Sequence, residues 1–436
     1  MLRSKPHFGW TLTAILAAAL LVRLAAGVWW QQRLPAGQKF AFGDSESYWQ
    51  LGRAIAHRQP YEYGPDHLQI FRTPGYPALL APLFWFADDP PVLWARALSA
   101  VLSTVAVGLT GLLARALFDD RAALLAAAIA AIYPESIALG VFVLSEAGFA
   151  PCMMLNLLCW TLAWQASGNR QLFWSFSAGI SAGLATLMRP SWLLFVPFAL
   201  IAGALLLFVN RSQFPKLLKT TSLVFIGLFV AVVPWWLRNY SVAGRFIPTT
   251  LQVGASLYDG ISPTATGASE MSFVGHFVAE QRAADAQSTD PPPGLFEDRL
   301  DNRLKQAAID FARANPRRVL DLAGTKFLRM WSPVPNANEF QSRSLRLALL
   351  LTYTPLIVLA IFGVWRFSRR GWPYVLCWLP AIYLTCLHVI FVSSIRYRQP
   401  AMLPLIILAA GMLIDLLPRR VGSAHHTASS APISTT

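Results

Sequence analysis

Residues 41–77 read AFGDSESYWQLGRAIAHRQPYEYGPDHLQIFRTPGYP, running from Ala41 to Pro77. The stretch follows the first long apolar run and gathers acids, arginines and aromatics into one loop. Ser45 and Ser47 suit a helix start, so Asp44 to His57 reads as a short helix. Tyr48, Trp49, Leu51 and Ile55 give that helix one apolar face, which predicts that it lies along a membrane interface rather than crossing it. Arg72 stands just before Thr73-Pro74-Gly75-Tyr76-Pro77, where two prolines and a glycine stiffen and turn the backbone. A second short helix, 75–86, is too short to cross.

The rest of the chain explains why an interface is expected. Of its 436 residues, 55% are hydrophobic and 13% charged, about half the charge of a soluble domain. Apolar runs of about 20 residues recur throughout, which fits helical spans and not the alternating segments of about 10 residues that build a β-barrel. The expected fold class is an all-α polytopic membrane protein with about 10 transmembrane helices, near 10–28, 92–118, 122–139, 141–165, 173–188, 192–208, 221–237, 345–365, 372–391 and 400–417. The organisation is an N-terminal transmembrane module at 8–240, whose first outer loop is 31–90. An extracytoplasmic loop region at 241–344, C-terminal transmembrane helices at 345–417 and a disordered tail at 418–436 follow. The loop of about a hundred residues is too long to lack structure, and 295–330 reads as helix broken at Asn315-Pro316.

Arg3, Lys5, Arg121, Arg170, Arg211, Lys216, Lys219, Arg366, Arg369, Arg370, Arg419 and Arg420 all fall on the side of the N-terminus. That bias puts both termini in the cytoplasm and both long loops outside. The N-terminal run is longer than a signal peptide and reads as an uncleaved anchor. Arg23, near the outer end of the first span, is expected to snorkel to the interface, the alternative being a polar cavity. The net charge of +14 is dispersed over span ends and loops, so anionic lipid headgroups and phosphates are the expected partners, and nucleic acid is not. The four cysteines lie in apolar runs and read as small buried hydrophobes.

The polar residues that invite chemistry share the predicted outer side: Asp44, Glu46, Arg72, Glu135, Glu146, Arg189, Arg238, Arg396 and Arg398. Charge at membrane depth is expensive and marks function when it faces the interior. One site would use a carboxylate as base and arginines as phosphate clamps. Each residue also has a plainer reading. Asp44 suits a helix cap or a solvated loop acid. Glu146, placed two turns inside the fourth span, suits a structural ion pair. Glu135, at the turn Tyr133-Pro134-Glu135, suits solvent, and the arginines suit interfacial anchors beside Tyr and Trp. His57 and His67 lack a third ligand at a convincing spacing, so no histidine-based metal site is expected, and dependence on a divalent metal is left open. There is no phosphate-binding loop, dinucleotide fingerprint or nucleophile elbow, and no cofactor is expected.

Taken in order, these pieces resemble a known superfamily. Gly43-Asp44 with Tyr48, Arg72-Thr73-Pro74-Gly75-Tyr76-Pro77, Tyr133-Pro134-Glu135, Leu144-Ser145-Glu146 and Met188-Arg189-Pro190 are followed by Pro234-Trp235, Arg238-Asn239-Tyr240, Gly244, Phe246-Ile247-Pro248, the glycines 254, 260 and 267, and Arg396-Tyr397-Arg398-Gln399-Pro400. Over most of 8–417 the chain resembles the GT-C glycosyltransferases, in particular bacterial relatives of dolichyl-phosphate-mannose protein mannosyltransferases and of the lipid A aminoarabinose transferase. The resemblance implies a polyprenyl-phosphate-linked sugar donor, a lipid, glycan or protein acceptor, and inverting transfer at the outer face of a bacterial inner membrane. It makes 8–240 the catalytic module and Asp44 the general base. It gives the second acid to Glu146, although members often carry Asp there. It assigns the donor phosphate to Arg72, Arg396 and Arg398, then Arg189 and Arg238, with Glu46, Tyr48, Tyr76, Glu135 and Tyr397 as the acceptor and sugar pocket. Two other readings stand beside it: a flippase or transporter of lipid-linked glycans, and an enzyme like the O-antigen polymerases and ligases.

Overall fold

The computed structural model describes residues 6–206, 211–288, 294–335 and 342–417. The tail expected to be disordered, 418–436, lies outside the described residues, as do Arg3, Lys5, Arg419 and Arg420. Within them the chain is helical, and its one pairing of extended backbone is an isolated bridge between Tyr63 and Leu68. In order the helices are α1 (Pro6–Gln31), α2 (Gly43–Ala56), α3 (Gly75–Leu80), α4 (Val92–Leu117), α5 (Asp120–Ile132) and α6 (Pro134–Leu139). Then come α7 (Glu146–Gln165), α8 (Gly168–Met188), α9 (Phe195–Leu206) and α10 (Phe214–Ala243). The long segment after α10 carries α11 (Val253–Gly260), α12 (Val274–Gln287), α13 (Phe296–Ala314) and α14 (Pro316–Met330), and the described chain closes with α15 (Arg343–Phe367), α16 (Trp372–His388) and α17 (Ile395–Leu416).

Six described helices are long and apolar enough to cross a membrane: α1, α4, α7, α10, α15 and α17. The other expected spans correspond to α5, α8, α9 and α16, which are shorter or less apolar. α7 and α17 form the centre, buried over 78% and 72% of their apolar windows, whereas α1 and α15 are buried over only 17% and 28%. A helix apolar all round sits in a core or against lipid, and here both outcomes occur in one bundle. α8 and α10 pack backbone to backbone. A methyl group added at Gly227 would lie 2.4 Å from the Phe176 carbonyl oxygen, and one at Gly179 would lie 2.2 Å from that of Val224. Small residues at such crossings replace the hydrophobic drive that lipid cannot supply.

Arg23 does not snorkel. It is fully buried and donates to the carbonyls of Ala130 and Ala131 at 3.1 and 3.0 Å and to Ser103 and Ser136 at 2.9 Å each. Those carbonyls belong to the last turn of α5, so the guanidinium satisfies a helix end that would otherwise face hydrocarbon. The fourth expected span starts five residues late, because a short α6 and a loop intervene before α7. Glu146 is therefore the first residue of its helix rather than two turns inside it. Cys386 is exposed on α16, unlike buried Cys159 and Cys377.

Candidate active site

The loop after α1 folds as α2, close to the expected bounds, and α3, which ends at Leu80 and continues to Trp85 only as a 3-10 helix. Asp44 enters α2 at its second residue, where the positive helix end favours a carboxylate. Ser45 and Ser47 do not cap the helix and are buried instead. The turn after Arg72 is fixed by contact: a methyl group at Gly75 would lie 2.6 Å from the Leu187 carbonyl group. Leu187 and Met188 end α8, and the following Pro190 forces Arg189 into extended backbone. Two arginine-bearing turns are thus pressed against each other.

Arg72 donates to Asp44 Oδ1 at 2.7 Å, to Ser47 Oγ at 3.1 Å and to Gln252 Oε1 at 3.0 Å, and its guanidinium lies over the Tyr48 ring. The other Asp44 oxygen receives Arg396 Nη2 at 3.3 Å. Arg396, in the first turn of α17, also donates to Glu146, which takes a further ion pair from Arg189 at 3.0 Å. Two carboxylates and three guanidiniums are linked in one chain, leaving one excess positive charge. Burial pushes the Asp44 carboxyl up, but the charges and hydrogen bonds of Arg72 and Arg396 outweigh it and hold it at about 2.

Asp44, Arg72, Arg396 and Tyr397 lie on the wall of a half-open cavity of about 710 Å³. The segment between α10 and α15 also lines it, through Gln252, Met271 and Leu304 among others. Glu146 and Arg189 are not on the wall. Glu146 stands behind Arg396, buried, and its Oε2 has no hydrogen-bond partner among the described residues. Tyr397 stacks on His388 with ring centroids 4.1 Å apart.

Several expected site residues lie elsewhere. Arg398 is buried in a bidentate pair with Glu135 and donates to the carbonyls of Met330 at 3.0 Å and Ser332 at 2.5 Å, so its donors are committed to protein. Glu135, expected in solvent, is buried by the same pair. Arg238 donates to the carbonyls of Gln69 at 2.7 Å and Tyr61 at 3.2 Å and fastens the first loop to the end of α10. Tyr76 is fully buried against Ser99, and Tyr48 packs edge-on to Tyr76. Glu46 accepts from Gln50, off the cavity.

Structure comparison gives the archaeal oligosaccharyltransferase AglB from Archaeoglobus fulgidus, in complex with an inhibitory peptide and a dolichol-phosphate, at 16% identity and TM-score 0.57 over 93% of this chain. The apo form of the same oligosaccharyltransferase matches at 17% identity, also with TM-score 0.57 over 93% of this chain. The chain spans 50% of the length of each of these structures. ArnT from Cupriavidus metallidurans, bound to undecaprenyl phosphate, matches at 14% identity over 93% of this chain and 78% of that one, with a TM-score of 0.47 that carries no weight. The family model for dolichyl-phosphate-mannose-protein mannosyltransferase matches residues 74–237. The chain shares the fold of these oligosaccharyltransferase structures. No curated protein matches it in sequence.

The family match contains Glu146 and Arg189 but ends short of Asp44, Arg72 and Arg396 on either side. Sequence reading missed Gln252, which ties the segment after α10 to Arg72, and Glu297, which accepts from the amides of Gln69 and Ile70 at 2.9 Å each. Neither sits in a motif. Their partners are 180 and 227 or more residues away, and only the folded chain brings them together. Among the described residues no three His, Cys, Asp or Glu side chains group as metal ligands.

Proposed function

We propose that the protein is an inverting glycosyltransferase that moves a sugar from a polyprenyl-phosphate donor to a hydroxyl acceptor on a lipid, glycan or protein. The active site faces the outside of a bacterial inner membrane, and both termini are cytoplasmic. The observation that carries this reading is the placement of Asp44 on the cavity wall between Arg72 and Arg396, at 2.7 and 3.3 Å. The acceptor oxygen attacks the anomeric carbon, its proton passes to Asp44, and the bond to the phosphate breaks with its electron pair going to the phosphate oxygen. Charge grows on that oxygen, and guanidiniums fixed beforehand stabilise it. The excess positive charge of the cluster matches a lipid phosphate.

At about 2, Asp44 is ionised but a weak base. A donor phosphate competes for Arg72 and Arg396, and as they turn to it, burial raises the carboxyl toward a useful basicity. Glu146, out of reach of the cavity, acts through Arg396 as a positioning residue. The dolichol-phosphate and inhibitory peptide in the AglB structure fit a lipid-phosphate donor and a separate acceptor. Charges grouped at one end of the bundle favour an enzyme over a transporter, which needs a path through its depth.

The test begins with mass spectrometry of envelope glycolipids and glycoproteins with and without the gene, to supply a donor and acceptor. Purified Asp44→Asn in liposomes then loses about 100- to 10,000-fold in transfer while it stays folded and membrane-inserted, with a cooperative unfolding transition above the assay temperature. Turnover within tenfold of the parent sinks the reading.

A further inference from the structure

α14 has two unlike faces. Leu322, Lys326 and Met330 are buried at four-residue spacing. On the opposite side Leu320, Phe327 and Leu328 are exposed, at 72%, 47% and 70%, with Gly324 between them and exposed Arg317 one turn before. No described part of the chain covers this stripe, although it lies in the region expected to be bathed in water.

Its depth is fixed by its neighbours. The Trp331 indole, just past α14, donates to Thr385 Oγ1 at 3.0 Å, one turn from the end of α16. The Trp331 carbonyl accepts from Tyr353 of α15 at 3.2 Å. Tyr353 lies seven residues beyond Arg346, the last charge at that end of α15. At 1.5 Å per residue that is about 10 Å inside the span. Lys326 donates to the Ile390 carbonyl at 2.6 Å, and Ile390 is itself an exposed apolar residue at the end of α16. Leu347 and Leu351 are exposed on the first turns of α15, so the stripe continues the lipid-facing belt.

We infer that α14 is seated in the outer leaflet of the bilayer, with Phe327 and Leu328 at the acyl boundary and Leu320 and Arg317 among the headgroups. An amphipathic helix of this kind buries its apolar face about 5–10 Å into the boundary. The Met330 end is held at span depth, while the first turn of α14 is tied to the loop after α11, where Arg318 donates to the Ala265 carbonyl at 3.1 Å. The seat bears on the site. Lys326 holds the Val389–Ile390 carbonyls, and Arg398 holds those of Met330 and Ser332. Between these two clamps lie Arg396 and Tyr397, so lipid sets the level at which they stand. The choice of leaflet rests on the orientation proposed above, and the lipid seat itself does not rest on the proposed activity.

The test uses the unaltered protein in proteoliposomes containing a phospholipid with a diazirine in its acyl chain, followed by peptide mass spectrometry. Adducts are expected on Phe327 and Leu328 at several times the yield on α12, which is an exposed outer helix without such anchors. Hydroxyl-radical footprinting of the same sample is expected to mark α12 and spare Phe327 and Leu328. Water-phase labelling of Phe327 and Leu328 equal to that of α12 overturns the inference. Absence of both labels overturns it too, because the stripe would then be covered by something other than lipid.

Discussion

Asp44 is an acid whose strength belongs to its neighbours. With its carboxyl held at about 2 it is ionised across the neutral range, so kcat/KM has no acid limb between pH 5 and 8 attributable to it. In Arg396→Gln one lowering influence is gone while burial, which raises the group, remains. The acid limb of kcat/KM then moves to higher pH, measured on the free enzyme with saturating acceptor. An unmoved limb shows that Arg396 does not govern Asp44. For stability the sign is that of a depressed carboxylate: the contribution is present above about 3.9 and is lost as pH falls through about 2. Arg398 and Glu135 present a different case. Both are buried, and removing one partner strands the other. Arg398→Ala is expected to destabilise by about 3–5 kcal/mol, read by unfolding in detergent, whereas replacing both by apolar residues restores most of the loss. The sequence alone placed both among solvent-side or phosphate groups, since a partner 263 residues distant leaves no local trace.

At the scale of elements, close backbone crossings decide more than apolar content does. Gly227→Leu forces α8 and α10 apart, because the added carbons meet the Phe176 carbonyl and the Ile180 amide. The variant is expected to lose the monodisperse peak in size-exclusion chromatography, while Gly275→Ala, with open space around it, keeps it. The first-loop helices were legible from sequence because their signals are local: serines at a start, an apolar face, a Pro-Gly turn before Tyr76. The start of α7 was not. Val141, Phe142, Val143 and Leu144 are as apolar as the helix that follows, so a hydropathy window runs through the loop without a break. The burial of Arg23 was hidden for a related reason, as its acceptors are mostly backbone carbonyls, which no residue type advertises.

For the molecule as a whole, orientation is the property on which the proposed activity depends. Ala279 is exposed on α12, and Asn169 is exposed at the opposite, basic end of the bundle, beside Arg170. In spheroplasts, a membrane-impermeant maleimide is expected to modify Ala279→Cys at once. It should reach Asn169→Cys only after permeabilisation, each compared with the unsubstituted protein. The reverse pattern would put the cavity on the cytoplasmic side. Helical class and a long helical segment between α10 and α15 were readable because both are averages over many residues. Which arginines reach the cavity was not, because that turns on about half a helical turn: Arg396 and Arg398 are two residues apart on α17 and point to different partners.

Arg396 grips both acids at once, and that grip dictates a sequence of events. An acceptor arriving first meets a carboxylate whose charge is already spent on two cations, and it gains nothing by waiting there. The lipid must come first, open the clasp, and leave last. Steady-state kinetics should then show a compulsory order with the lipid leading. An excess of acceptor should stall turnover by trapping the enzyme with its spent carrier still aboard.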